Sequence, residues 1–261
     1  DAAYHACRYI RNGNLGKVNK VTCWHYENPV GDWTPNATPP PELDWELWLG
    51  PARWMPYNPN KVHFNFRWLL DFGGGQIRDR GAHVMSVALW CMNADHQGPA
   101  SIEATGEPPH QGIWNCPPPM EIQYEFKNPD WSMTWSQPGE KLLDAPFGAK
   151  YWGDKDNLIV TGGDGGCGTE EKAMQYTPPA GGVEVFRSPG HFENWLDCIK
   201  SREKPLMDIE AGYRVAVLCI LGNISYRLGR KLEWDAVNEQ VVNDDEANRF
   251  LKLVGRGPWN L

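Results

Sequence analysis

The sequence predicts an α+β fold, an open, mostly antiparallel sheet with helices packed on one face. Three observations predict it. Segments 100–107, 120–127 and 131–136 alternate apolar and polar residues with no helical pattern between them, as neighbouring half-buried strands do. The helical segments are segregated from these strands, so the regular strand–helix alternation of a parallel sheet is missing. The chain has 261 residues, 41% hydrophobic and 22% charged, enough to bury a sizeable core and too apolar for wholesale disorder.

Residues 1–12 read as a helix bearing Ala2, Ala3, Cys7, Tyr9 and Ile10, stopped by Gly13 and Gly16. Residues 18–26 alternate as a strand. Two loops rich in Pro and Asn, 28–41 and 52–60, flank a short helix at 44–49, which Asp44 caps and Gly50-Pro51 ends. The long loop 108–119 separates two strands, a length often tied to function. Segments 149–152 and 158–160 form a hairpin about a turn at 154–157. Residues 170–189 read as loop with one strand at 183–186. Helices at 191–201 and 209–228 close the core, the second ended by Gly229. A short edge strand at 231–233 and a last helix at 244–253, with an acidic first turn suited to its dipole, complete the chain. The glycine cluster 162–168 lacks a following helix and reads as a mobile loop.

The chemistry concentrates between His63 and Trp90. An aromatic lead-in meets Gly73, Gly74 and Gly75, where the backbone can bend sharply and be approached closely. A helix then carries Asp79 and His83, four apart and so on one face. An intrahelical polar pair explains that spacing as readily as catalysis does. The glycines and aromatics beside it favour a site. Val84, Met85, Val87, Ala88, Leu89 and Trp90 continue as a buried face.

The segment from Asp71 to His83 (DFGGGQIRDRGAH) resembles the catalytic segment of the C-terminal domain of the Gfo/Idh/MocA oxidoreductases. Residues 43–52, 191–199, 223–234 and 244–248 are similar to a bacterial subgroup of that family, so the resemblance spans nearly the whole chain. It implies that Asp79 and His83 line a sugar or polyol site beside a nicotinamide ring, with Gly74 and Gly75 near the cofactor. It implies NAD or NADP in a full-length relative and a homo-oligomer formed through the free sheet face. The family's preceding Rossmann domain, with its glycine-rich loop and Glu-Lys-Pro motif, is not in these 261 residues. Residues 1–261 therefore read as a single α+β substrate-binding and catalytic domain, with no cofactor bound by this chain alone. The compartment, cytoplasmic or exported, is left open.

Other residues rank lower as ligand contacts. His63, Asn65 and Arg67 precede the glycines and suit hydroxyls or a carboxylate, though loop-stabilising bonds explain them equally. Tyr151 and Trp152 occupy a strand that reaches the pocket in the resembled family. His191 opens a helix, where capping is the plainer explanation. Fourteen tryptophans supply flat faces that suit sugar rings, although packing accounts for most of them. Seven scattered cysteines without a Cys-x-x-Cys pair argue against a zinc ribbon, and His5, His25, His96 and His110 show no ligand spacing, so no metal site is expected. A net charge of −8 argues against a general nucleic-acid or anionic-membrane surface.

The leading expectation is the sugar- or polyol-processing domain of an NAD(P)-dependent oxidoreductase, with His83 and Asp79 as its acid–base pair. Two alternatives remain at this level. One is a stand-alone, cofactor-independent carbohydrate lyase, dehydratase or hydrolase. The other is a non-catalytic carbohydrate-binding or oligomerisation module.

Overall fold

A computed structural model describes residues 1–163, 166–252 and 255–259. Its strands are β1 (Val18–Trp24), β2 (Ser101–Gly106), β3 (Met120–Phe126), β4 (Trp131–Gln137), β5 (Phe147–Gly153), β6 (Asn157–Gly163), β7 (Gly166–Thr169), β8 (Leu232–Asp235) and β9 (Gln240–Val241). They form one sheet in the order β7-β6-β5-β1-β4-β3-β2-β8-β9. Every neighbouring pair is antiparallel except β1 with β4. The first strand thus lies in the middle of the sheet.

Period-two alternation separates the two faces. Ala104, Ile122, Trp135, Cys23, Ala149 and Val160 form one row across six strands, all buried. The neighbouring row, Glu103, Gln123, Thr134, Thr22, Lys150 and Ile159, faces the other way. Helices cover the first face. The second is mainly polar.

The helices are α1 (Ala2–Arg11), α2 (Trp45–Leu49), α3 (Arg80–Cys91), α4 (Glu171–Met174), α5 (His191–Ser201), α6 (Ile209–Leu228) and α7 (Asp245–Leu251). Asp208 caps α6 by accepting from the Ala211 N–H at 2.9 Å, and Gly229 ends it in the left-handed region at φ 63°. Ten residues of α6 are buried along the sheet. The Tyr124 hydroxyl donates to the Leu218 carbonyl at 3.0 Å, and the Ser225 hydroxyl accepts from the Ala104 N–H at 2.9 Å. A Cβ on Gly222 would lie 2.5 Å from Ile122 Cδ1, so glycine permits this close helix–sheet approach.

Four sequence expectations change. Residues 183–186 form no strand, and α4 occupies part of the stretch read as loop. The glycine cluster read as a mobile loop is largely paired: Gly162 and Gly163 end β6 and pair with Cys167 and Gly166 of β7, while Asp164 and Gly165 lie outside the described residues. The last helix ends at Leu251, and Leu253 likewise lies outside them. Helix α5 does not close the core, since none of its residues is buried and Phe192 is 82% exposed. Its amphipathic pattern records an apolar face but not what lies opposite that face. A tether holds it, the Leu206 N–H donating to Asn194 Oδ1 at 3.1 Å.

Five cysteines are buried, Cys198 is half-buried and Cys167 is exposed. Burial pushes the Cys116 and Cys219 thiols up to about 12, which leaves them protonated and inert. No helix among the described residues is long and apolar enough to cross a membrane.

Candidate active site

The glycine run is a fastening point within the protein. Its three N–H groups all donate internally: Gly73 to Phe66 O at 3.1 Å, Gly74 to Leu69 O at 3.0 Å and Gly75 to Arg67 O at 2.6 Å. Gly74 and Gly75 adopt φ +74° and +82°. What approaches them closely is this chain. A Cβ on Gly74 would meet Asn223 Nδ2 at 2.9 Å, and one on Gly75 would meet the Asn28 amide at the same distance. Asn28 Oδ1 accepts from the Gln76 N–H at 2.7 Å, and Asn223 Nδ2 donates to the Gly74 carbonyl at 2.9 Å. Gly74 and Gly75, expected near the cofactor, are held here by the protein's own groups. Their donors are spent and their open sides are filled, so they do not fit a dinucleotide's phosphates. The second glycine cluster sits in the β6–β7 hairpin, ahead of a helix of only four residues, and does not fit them either.

Asp79 occupies the position before α3, without capping it. Its carboxylate lies 2.9 Å from the Arg67 guanidinium. Arg67 is also held over the rings of Phe64 and Trp68, at 4.0 and 4.5 Å from their centroids. Arg67 therefore positions Asp79, and its charge is already matched. His63 and Asn65 share the same 3-10 stretch, His63–Trp68. His63 is exposed, and the Asn65 amide donates to Asn60 Oδ1 at 3.0 Å.

His83 stands exposed one turn further along α3. It opens onto a cleft of about 550 Å³ between α1, α3, the start of α5 and the segment around Arg187. His191 lines the same cleft, so two expected site residues meet there. Trp90, Trp195, Tyr4 and Arg187 line it too and were missed as site residues. A signal for some of them was present. Ser86, Val87 and Trp90 follow His83 at i+3, i+4 and i+7, one helix face that lines the cleft while Val87 and Trp90 also pack against the core. A smaller hollow of about 40 Å³ shares His83, Val87 and Cys167 with it.

Tyr151 and Trp152, expected among the ligand contacts, do not line this cleft. Tyr151 is on the helix-covered face and fully buried, and burial first of all raises its hydroxyl well above the usual tyrosine value. Trp152 lies on the opposite face, its Nε1 donating to Thr22 Oγ1 at 3.1 Å, with Lys150 Nζ 3.6 Å from its ring centroid. Adjacent strand residues necessarily point to opposite faces. Among the described residues, no group of three or more His, Cys, Asp or Glu side chains could hold a metal ion.

A two-layer α+β domain with an imidazole at the mouth of an aromatic cleft is the class of protein that this geometry defines. Residues 15–128 and 183–261 match the family described as "Oxidoreductase family, C-terminal alpha/beta domain". The chain belongs to this family, the Gfo/Idh/MocA oxidoreductases, over its C-terminal-domain region. Among solved structures it is similar to the WlbA dehydrogenase from Bordetella pertussis in complex with NADH and UDP-GlcNAcA, at 12% identity and TM-score 0.55, covering 90% of this chain and 60% of that one. It is also similar to an NAD-binding protein from Listeria innocua, at 13% identity and TM-score 0.51, covering 89% and 64%. These likenesses show the shared fold. The chain spans 60% and 64% of the lengths of those two proteins. No curated protein sequence matches it.

Proposed function

We propose that this chain is the sugar- or polyol-binding part of an NAD(P)-dependent oxidoreductase, a single α+β unit over residues 1–261, with the dinucleotide held by residues other than those described. The observation that carries this reading is exposed His83 in a cleft that also presents Trp90, Trp195 and His191. Tryptophan faces suit the C–H faces of a sugar ring, and imidazole nitrogens suit its hydroxyls. In this reading His83 takes the proton of the reacting hydroxyl. Asp79, one turn from His83 at the start of the same helix and held by Arg67, offers a carboxylate oxygen to a neighbouring hydroxyl. The reading includes self-association through the helix-free sheet face, where Glu103 at one end and Lys150 toward the other offer opposite charges to a second copy.

Calorimetry on the 261-residue chain tests it, with myo-inositol, hexoses, NAD(H) and NADP(H) as titrants. Polyol binding that weakens about tenfold in His83→Ala and in Trp195→Ala is the expected result. Sugar conversion without any nicotinamide would replace it with a lyase, dehydratase or hydrolase. Polyol binding indifferent to both substitutions would replace it with a non-catalytic module.

A further inference from the structure

His25 directly follows β1 and points to the helix-covered side of the sheet, as Cys23 and Val21 do two and four residues earlier. It is 1% exposed. Its ring lies between Trp135 and Phe147, near-parallel to both, with centroids 5.9 and 5.5 Å away. Both flanking rings also touch the first turn of α3. A Cβ on Gly81 would lie 3.3 Å from Trp135 Cη2, and the Arg80 guanidinium sits 5.4 Å from the Phe147 centroid. His25 is therefore built into the floor beneath the start of α3, where Asp79 and Arg67 meet.

One nitrogen of this imidazole is assigned by its partner. Nδ1 is 2.9 Å from the Tyr26 carbonyl, which only accepts, so Nδ1 carries the proton. In the neutral ring Nε2 is then a lone-pair acceptor. It is buried and has no protein hydrogen-bond partner. Arg67 Nε shares that condition, and Asp79 Oδ2 has only the 2.9 Å ion contact with Arg67 Nη1. An acceptor and a donor without partners, His25 Nε2 and Arg67 Nε, thus lie with the ion-paired Asp79 Oδ2 around the start of α3. Buried polar groups left this way cost about 1–3 kcal/mol each, so a native site holds something that satisfies them. A hydroxyl, which donates one bond and accepts others, suits such a set.

We propose that His25 is a positioning residue of this site: its buried Nε2 accepts a hydrogen bond from a hydroxyl group, of an ordered water or of a bound polyol, held at the Asp79–Arg67 end of α3. The proposal rests on the polyol reading only for the source of the hydroxyl. His25 stays neutral in this role. Burial lowers its proton affinity first, the nearby Arg80 and Arg67 charges lower it further, and the Tyr26 hydrogen bond and the Asp79 charge oppose them. A charged His25 would have a donor at both nitrogens and could not accept the bond that the hydroxyl donates.

Nitrogen NMR of the histidine-labelled 261-residue chain, with and without myo-inositol, tests this. The expected result is a neutral His25 carrying its proton on Nδ1 at and below pH 6.5, where an ordinary histidine charges, with Nε2 at a hydrogen-bonded acceptor frequency. A cross-peak from His25 to water, unchanged by myo-inositol, assigns the hydroxyl to water. A shift of Nε2 on adding myo-inositol assigns it to the polyol. An Nε2 frequency of a free acceptor under both conditions, or a proton on Nε2, overturns the proposal. Two variants separate positioning from packing. His25→Phe keeps the ring stack and loses the acceptor, whereas His25→Gln offers an acceptor at the reach of Nε2. Where myo-inositol binds, affinity should fall about tenfold in the first and recover in the second. Equal affinity in His25→Phe and the unchanged chain also overturns it. Absence of any polyol binding would sink the proposed function and leave the nitrogen spectrum to decide this inference alone.

Discussion

The Asp79 carboxylate lies 2.9 Å from the Arg67 guanidinium, while His83, one turn along the same helix, faces an open cleft. A carboxylate expected to partner the imidazole directly is instead anchored to the 3-10 stretch before the glycines. The arginine that anchors it is clamped between two aromatic rings, which fixes the fork with little further loss of side-chain freedom.

Replacing Arg67 by Ala should therefore destabilise the chain. It leaves Asp79 Oδ2, buried at the atom level, without its counter-charge. The expected loss is about 1–3 kcal/mol, toward the low end because the two side chains are 21% and 30% exposed. Arg67→Lys should lose less, since it keeps the charge but not the planar stacking group. Urea denaturation midpoints decide the matter, and an unchanged midpoint in Arg67→Ala would show that the contact contributes nothing.

Gly73→Ala should be the most damaging substitution in the glycine run. A Cβ there would fall 2.2 Å from Arg67 Cα, which is backbone and cannot rotate away. Asn223→Ala tests the same fastening from α6, because it removes the bond to the Gly74 carbonyl and should cost about 1–3 kcal/mol. Denaturant unfolding measures both. Wild-type stability in Gly73→Ala would mean that the two backbone segments part easily.

Much of the fold was legible because its signals are local. Helix α6 spans the expected 209–228 and ends at Gly229, and strict alternation in β3 and β4 marked the buried face. The site was legible only in part. The helix that carries His83 could be read from its pattern, and so could the opening of α5 at His191. That these two would share a cleft depends on how α3 and α5 pack, which no local pattern encodes. The glycine triplet could be read two ways for a physical reason: the same missing Cβ serves a ligand or the protein's own Asn28 and Asn223 equally well. His25 gave no signal, because its role depends on Trp135, Phe147 and α3, more than fifty residues away along the chain.

Phe192→Ser and Ile199→Ser on α5 should change stability by no more than about 0.5 kcal/mol, although both remove large apolar groups. The two side chains are 82% and 44% exposed, so there is little buried area to lose. Binding of a hydrophobic dye to the folded chain should fall in the same variants, because the exposed apolar stripe shrinks. A loss of several kcal/mol in either would show that α5 belongs to the core after all.

Asp208 gives the chain an acid-sensitive helix start. The Ala211 N–H holds its carboxyl below the ordinary value of 3.8, burial opposes this, and Lys204, 3.1 Å away, adds to the lowering. The unfolded chain therefore binds this proton at higher pH than the folded one does. The contribution is fully present above 3.8 and is lost as pH falls from there through the lower folded value. Asp208→Ala should cost about 1 kcal/mol at neutral pH, the usual worth of a cap, and the gap to the unchanged chain should narrow as pH drops below 3.8. Asp208→Asn keeps a capping oxygen without the charge, so it should lose less at neutral pH, and its gap to the unchanged chain should narrow below 3.8 by the same amount. Chemical denaturation of all three chains across that range measures the effect. A constant gap between Asp208→Ala and the unchanged chain would show that the carboxylate charge plays no part in holding α6.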